Sequence, residues 1–307
     1  MSQLSYLMQV TEEQKEKVLR EHNLTQKEFE ESVEVLKTWI KQNENIPKEP
    51  AVTDNQVKMA LLNSKMSIER AKKAIEGYLT CKTLYFDFFQ HMVPEEKFQK
   101  TVKLGKSIIM PKLLPNLSRL HIAKIQDTQA EAENGMDYYF TAMMIAELRM
   151  LNDFFLSSSI LADLEAFGLK NLIKFTPTVN YKLVHLLTSL SLRIDTIHII
   201  NVPPFWDKAN MLIKAILPTK VYEKIKVHYS LDELHEHIPK EYLPSDYGGT
   251  EKSLEELQEM WTREIELHAD VFRQLINLRA KEVLKVPQFT MDVGMGTDGS
   301  FKKLEID

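Results

Sequence analysis

A few residue groupings in the chain have types and spacings that could do chemistry. Gly294-x-Gly296-x-x-Gly299 spells a dinucleotide-binding fingerprint, in which glycines let backbone amides approach a pyrophosphate. That use needs a strand before it and a helix after it, and the motif sits in a terminal tail with eight residues to follow. His228, His235 and His237 cluster as zinc ligands can. A zinc site wants a third or fourth ligand at set spacing, and the single cysteine, Cys81, is remote, so these read as loop or surface histidines. Asp163 and Glu165 lie on one strand face, a placement a hydrolase could use. No motif accompanies them, and structural hydrogen bonding is expected. Ser157–Ser159 lack a nucleophile-elbow pattern, and Cys81 reads as a buried, inert thiol. No nucleophile, base or metal set assembles. The expectation is a non-enzyme with no catalytic residue, no metal and no cofactor.

The elements that must carry these residues follow from composition and pattern. The 307 residues are 44% hydrophobic and 27% charged, enough for a sizeable core, in one domain with a helical appendage or in two. The net charge of −5 leaves no overall basic footprint for nucleic acid, so affinity for an anionic surface must come from a local patch. One cysteine excludes an internal disulfide and suits a reducing compartment. The start, MSQLSYLMQVTEEQKEK, lacks the basic and apolar regions of a signal peptide. No stretch approaches the roughly 18 apolar residues of a membrane span. A cytoplasmic protein is expected.

Residues 11 to about 90 read as helical. Thr11-x-x-Gln14 and Thr25-x-x-Glu28 are capping boxes. Phe29, Val33, Leu36, Trp39 and Ile40 form one apolar stripe, Pro47 and Pro50 break the helix, and a second apolar set runs from Val57 to Leu79. From about 105 to 250 the pattern is mixed α/β. Leu120–Gln126, Ser158–Leu164 and Arg193–Val202 read as strands, the last as a buried strand of a mainly parallel sheet. Asp137–Asn152 and Pro177–Ser189 read as helices between them. Ser253-x-x-Glu256 caps a helix running to about Leu284, with Pro287 as its stop. The expected organisation is a helical N-terminal domain (1–90), a mixed α/β domain (91–250), and a C-terminal helix with an extended tail (251–307).

The most informative block is Ile197–Thr250. A strand ends at Asn201, and Pro203-Pro204 starts a helix whose apolar positions go nearly all the way round: Phe205, Trp206, Ala209, Met211, Leu212, Ile213, Ala215, Ile216 and Leu217. Such a helix is either fully buried or meets something apolar on its outer face. At about 13 residues it cannot cross a bilayer, but it could lie across a cavity and touch a membrane surface. Seven methionines, among them Met143, Met144 and Met211, could make an adaptable lining, though core filler is the plainer reading.

IHIINVPP, LPTKVYEKIKVH and EYLPSDYGG within this block resemble the CRAL-TRIO family, in the branch of α-tocopherol transfer protein and cellular retinaldehyde-binding protein. ILADLEAFG (Ile160–Gly168), Phe175-Thr176-Pro177-Thr178-Val179 and the closing GSFKKLEID extend the resemblance over roughly 36–307. It implies a sheet floor with helical walls, preceded by an all-α domain. The segment Pro204–Leu217 would be a mobile gate over a hydrophobic cargo. The resemblance places Tyr139, Ala142, Ala146, Phe167, Phe175, Leu183, Leu186, Leu187 and Ile197 in the pocket. It adds Ala209, Leu212, Ile213 and Leu217 on the gate. Arg193, Lys220 and Lys224 match headgroup-binding positions for phosphoinositides. A fourth basic position falls at Met59, where the sequence reads VKMALLNSK, with Lys58 beside it. The expected partners are a hydrophobic small molecule (a tocopherol, retinoid, carotenoid or similar isoprenoid) and, transiently, a membrane. The alternatives are phospholipid or phosphoinositide exchange, and a tethering or protein-interaction module.

Overall fold

The structure is a computed structural model that describes residues 4–189 and 191–283. Its first third is helical: α1 Leu4–Leu7, α2 Glu12–Arg20, α3 Gln26–Gln42, α4 Asp54–Asn63, α5 Ile68–Leu84, α6 Phe86–Phe89 and α7 Glu96–Thr101. The capping boxes at Thr11 and Thr25 close in both directions. A third, Thr53 with Gln56, opens α4 and escaped the sequence reading. The α3 stripe buries Phe29, Val33, Leu36 and Ile40 against the core, with Trp39 half-buried beside them.

Five strands follow: β1 Gly105–Leu113, β2 Ser118–Ile125, β3 Ser157–Asp163, β4 Ile194–Ile200 and β5 Ile225–Val227. They pair in sequence order, β1 with β2 antiparallel and the remaining pairs parallel. Between and after them run α8 Asp137–Asn152, α9 Leu169–Leu172, α10 Pro177–Ser189, α11 Trp206–Ile216, α12 Thr219–Tyr222 and α13 Leu231–His235. The chain continues with α14 Leu254–Leu267 and α15 Ala269–Leu275. The expected α/β fold with a helical N-terminal part is present. The helix opened by the Ser253 capping box ends at Leu267, where His268 takes a non-helical conformation, and α15 is a separate short helix. Leu284, Pro287, the glycine motif at 294–299 and the closing GSFKKLEID lie outside the described residues.

Sheet register assigns residues to two faces. Leu120, Ile122 and Lys124 pair with Ser159, Leu161 and Asp163; His121 and Ala123 pair with Ile160 and Ala162. Each parallel connection carries a helix, and right-handed crossovers in a sheet of sequential order put α8, α10 and α11 on one face. That face is the His121 face, because Arg149 of α8 acts on His121. Tyr247 covers the other face, donating its hydroxyl to Asp163 at 2.8 Å.

The edge strand β1 has its outward backbone groups occupied, which removes a template for strand addition. The Ser107 amide donates to Gln258, Trp261 donates to the Ile109 carbonyl, and the Gln9 amide donates to the Pro111 carbonyl. A buried ion pair joins α5 to α8: Lys82 Nζ lies 2.7 Å from Glu147, and Tyr78 donates to the same carboxylate. One continuous apolar core runs through the N-terminal helices, the sheet and α14.

Candidate functional site

The two sheet faces are filled differently. On the Tyr247 side Leu120, Ile122, Leu161 and Asp163 are fully buried. On the helix side, the in-register row His121, Ile160 and Ile197 is half-buried throughout, as are Ala123 and Ala162. Protein interiors pack as densely as organic crystals. A sheet face walled by three helices yet left half-covered is therefore one from which the helices stand off, leaving a box. On α8 the half-buried residues are Tyr139, Ala142 and Ala146, at helical spacing. Their neighbours Phe140, Met143, Met144, Ile145 and Leu148 are buried in the core. Tyr139 and His121 lie deep in the chain and still keep uncovered surface, as residues on a cavity wall do. Burial pushes His121 down to about 3, so it is neutral and accepts or donates a 2.9 Å bond with the Ser107 hydroxyl. Among the described residues the Tyr139 hydroxyl has no hydrogen-bond partner, which leaves an unpaired polar handle beside the His121–Ser107 pair.

Of the other expected lining residues, Phe167, Phe175, Ile197, Ile213 and Leu217 are half-buried. Leu183, Leu186 and Ala209 are buried. Leu187 is exposed, because one residue beyond Leu186 the helix has turned about 100°. The side chain of Leu212 lies outside the described residues. An aromatic row crosses one end of the box: Phe205 to Phe167 at 6.3 Å, Phe167 to Phe175 at 6.2 Å, and Phe175 stacked on Tyr138 at 5.9 Å. Gly135 makes room for it, since a Cβ there would sit 2.8 Å from the Phe175 ring.

The helix α11 closes the box through a small apolar cluster of its own, separate from the main core. Trp206 and Ala209 pack on Ile199, with Phe205 and Ile213 at the margin. Its outer side carries Asp207, Lys208, Met211 and Lys214, all exposed, so the expected all-round apolar helix is in fact amphipathic. The strand before it also departs from expectation: Ile194 to Ile197 are half-buried, with Ile197 on the helix side, and only His198 to Ile200 are buried. At the turn into α11, Asn201 adopts a left-handed conformation (φ 53°), and its amide donates to Asp163 at 2.9 Å. Burial opposes a charge on Asp163. Bonds from Asn201, Lys124, the Glu165 amide and Tyr247 outweigh it and hold the carboxyl below the usual range. Asp163 is thus a structural anchor for the turn, and Glu165 an exposed partner of Lys124.

The basic positions are deployed unequally. Lys224 directs its ammonium at the carbonyls of Ile194 and Asp195, strapping β5 to the start of β4. Arg193, next to Ile194, is half-buried and near enough to His22 to act on it together with Lys65. Lys220 is exposed and has no ion-pair partner among the described residues. Met59 is fully buried in α4 and cannot meet a headgroup.

Tertiary contact also reassigns the histidines. His228 and His198 are buried and stacked at 5.1 Å, with His237 over both, whereas His235 bonds the Tyr247 carbonyl. His228 thus lies in a loop, directly after β5, but is buried rather than on the surface. Among the described residues no group of three or more His, Cys, Asp or Glu could hold a metal ion, and no helix is long and apolar enough to cross a membrane. Cys81 is buried, its thiol pushed up to about 11 by burial.

Comparison with known proteins adds to this geometry. Residues 117–249 match the CRAL/TRIO domain. Alpha-tocopherol transfer protein-like of Homo sapiens is 24% identical over 199 residues, covering 62% of this chain and 57% of that protein. The mouse (Mus musculus) counterpart is 25% identical over the same coverage. Clavesin-1 of Rattus norvegicus is 32% identical over 93 residues, which are 30% of this chain and 26% of that one. The match thus spans little more than half the length of the tocopherol transfer protein-like relatives. The crystal structure of Sfh5 superposes with a TM-score of 0.52 at 12% identity, covering 88% of this chain and 100% of that one, a likeness of fold alone. The sheet with its three covering helices and the domain match together show a CRAL/TRIO domain over residues 117–249, and the chain is similar to alpha-tocopherol transfer protein-like proteins.

Proposed function

We propose that this protein is a non-enzymatic, cytoplasmic carrier of one hydrophobic small molecule, which it exchanges at membranes by swinging α11 away from the box. Lipid binding and transfer is the function its family supports. The observation that carries the reading is the half-filled helix face of the sheet beneath a helix docked by a cluster separate from the core. A mostly apolar box with an unpaired Tyr139 hydroxyl suits an elongated isoprenoid with one polar end, such as a tocopherol, retinoid or carotenoid. Membrane contact is supported by exposed apolar residues beside the gate. Leu169, Ile173 and Met211 expose 61%, 73% and 73% of their surface. Phe167, near the start of that segment, touches the gate through Phe205. Lys220 supplies a free cation, and Arg193 and Lys224 flank the start of β4, a placement suited to phosphoinositide headgroups.

Two measurements test the proposal. Mass spectrometry of an organic extract should find a co-purified isoprenoid, and the lipid-free protein should rebind it and deliver it to acceptor vesicles. A chain that carries and binds no lipid refutes the cargo reading. A phospholipid in the extract would move the protein to phospholipid exchange. For the membrane half, Lys220→Ala should weaken binding to phosphoinositide vesicles, as should added salt. Lys220 is a cleaner probe than Lys224, whose loss also unstraps β5.

A further inference from the structure

We propose, building on the reading of the box as a cargo site, that its inner end holds the carboxylate of an acid-headed lipid, with Arg149 as the anchoring residue. The helix α8 sets the geometry. Tyr139, Ala142, Ala146 and Arg149 follow one another at helical spacing, so the arginine extends the box-facing stripe by one more turn. It acts on His121, a half-buried residue of the floor. Arg149 and Tyr139 are ten residues apart, or about 15 Å along the helix. The aromatic row that reaches Phe205 sits at the Tyr138 end of α8. Arg149 marks the opposite end, where Asp153 joins it to Arg119 at the start of β2.

Two observations point to an anion there. The first is a charge count. Arg119 and Arg149 share one carboxylate, Asp153, and all three side chains are buried. Arg119 grips both Asp153 oxygens, at 2.5 and 3.1 Å, and also donates to the Pro111 and Gln9 carbonyls. Among the described residues Asp153 is the only ion-pair partner of Arg149. Two guanidinium groups against one carboxylate leave one positive charge in excess, and a buried charge without compensation is costly. Burial pulls Arg149 down to about 10, with Asp153 opposing the fall and Arg119 adding to it, so it stays charged at neutral pH. The second observation is a set of unpartnered donors. Among the described residues only Nε of Arg149 is bonded, to Asp153 at 3.3 Å, and the buried Nη2 has no partner. The Ser158 hydroxyl is buried and unpartnered too. Ser158 pairs with Arg119 across the sheet and shares the box face with Ile160. The Arg149 guanidinium lies over the Phe155 ring at 4.3 Å, which covers one face and leaves the donors at its edge. Such an edge is a fork matched to a carboxylate. A monoanion balances the excess charge, whereas a phosphate dianion overshoots it. The apolar body then runs over Ala146 and Ala142 toward Tyr139, which suits a long-chain fatty acid or an isoprenoid acid.

Calorimetric titration of the lipid-free full chain with hexadecanoic acid and with retinoic acid, each beside its methyl ester, tests this. The acids should bind at least tenfold tighter than the esters. Arg149→Met should erase that preference while the esters bind as before, and it should fold, because Arg119 and Asp153 remain as a balanced pair. Arg149→Lys keeps the charge without the fork and should keep a preference of at least threefold. A purely structural arginine would leave the acid-to-ester ratio unmoved in both variants. If Arg149→Met does not fold, Ser158→Ala, which removes a hydroxyl that bonds nothing in the described chain, should weaken acid binding at least threefold and leave ester binding alone. Acid and ester bound alike by the wild type overturn the proposal and leave the cargo reading intact, as does a preference that survives Arg149→Met. Binding of neither also overturns it, and takes the cargo reading with it only where the purified chain carries no lipid.

Discussion

Ala142→Leu puts the box itself to the test, because the sign of its effect depends on whether space exists beside α8. Ala142 is half-buried on the side of α8 shared with Tyr139 and Ala146. Leucine adds three carbons. At about 0.8 kcal/mol for each buried carbon, an empty box would return up to about 2.4 kcal/mol. The lower helix propensity of leucine removes a few tenths of a kcal/mol. Net stabilisation of the lipid-free protein by about 1–2 kcal/mol is expected, or a rise of roughly 2–6 °C in midpoint at the few degrees per kcal/mol of a large domain. Had the site been filled, the same change would overpack it and cost about 1–3 kcal/mol. Cargo affinity should fall at least tenfold, since the new side chain occupies cargo space. Thermal melts of lipid-free protein, paired with titration of the co-purified lipid, read both quantities. A lowered midpoint with undiminished cargo binding would refute the reasoning, and Ala146→Leu provides a second reading one turn along.

Three further outcomes are expected. Trp206→Ala removes the anchor of the α11 cluster at a local cost of about 3–5 kcal/mol. Hydrogen exchange over 206–216 and the rate of vesicle transfer should both rise, while the urea midpoint of the whole protein shifts little; a full global loss without local opening would show α11 to be part of the main core. Acid should weaken the β4–β5 edge. Burial, with His228 and His237 adding to it, depresses His198 to about 3, and His228 is lowered too, chiefly by burial. Their folded values lie below the unfolded value of about 6.5, so their contribution is intact above that pH. It is lost at about 1.4 kcal/mol per pH unit per histidine as pH falls from there toward the folded values. Urea midpoints measured against pH check this, and His198→Asn should flatten the slope. Lys82→Met strands Glu147 in the core and should cost about 3–5 kcal/mol in chemical unfolding. Adding Glu147→Leu should restore most of it, because the pair matters less than the uncompensated charge.

Much of the fold was legible along the chain where the signal is local. The capping boxes at Thr11, Thr25 and Ser253 declare helix starts through the residues that satisfy their own first amides. The bounds of α8 and α10 follow from apolar spacing and from Pro177. The strands β2, β3 and β4 are branched, apolar runs between turns. β1 escaped because Pro111 and a break in register between Ile109 and Leu113 interrupt its pattern, and its pairing depends on partners far along the chain. β5, at three residues, is too short to carry a period.

For the site, the sequence supplied expectations through family resemblance, with Tyr139, Ala142 and Ala146 on one helix, Leu183 and Leu186 on the next, and the helix from Trp206. Helical spacing puts each set on one face, because periodicity is a property of neighbouring residues. Tertiary structure alone decided whether those stripes meet a packed core or stand off from it, and there the two faces of the sheet diverge. It also turned Asp207, Lys208 and Lys214 outward on α11 and committed Lys224 to backbone carbonyls. It drew His198 to His228, and it left Asn63 unpartnered at the end of α4. Each of these depends on distances between residues remote in sequence, which are set only when the chain closes on itself.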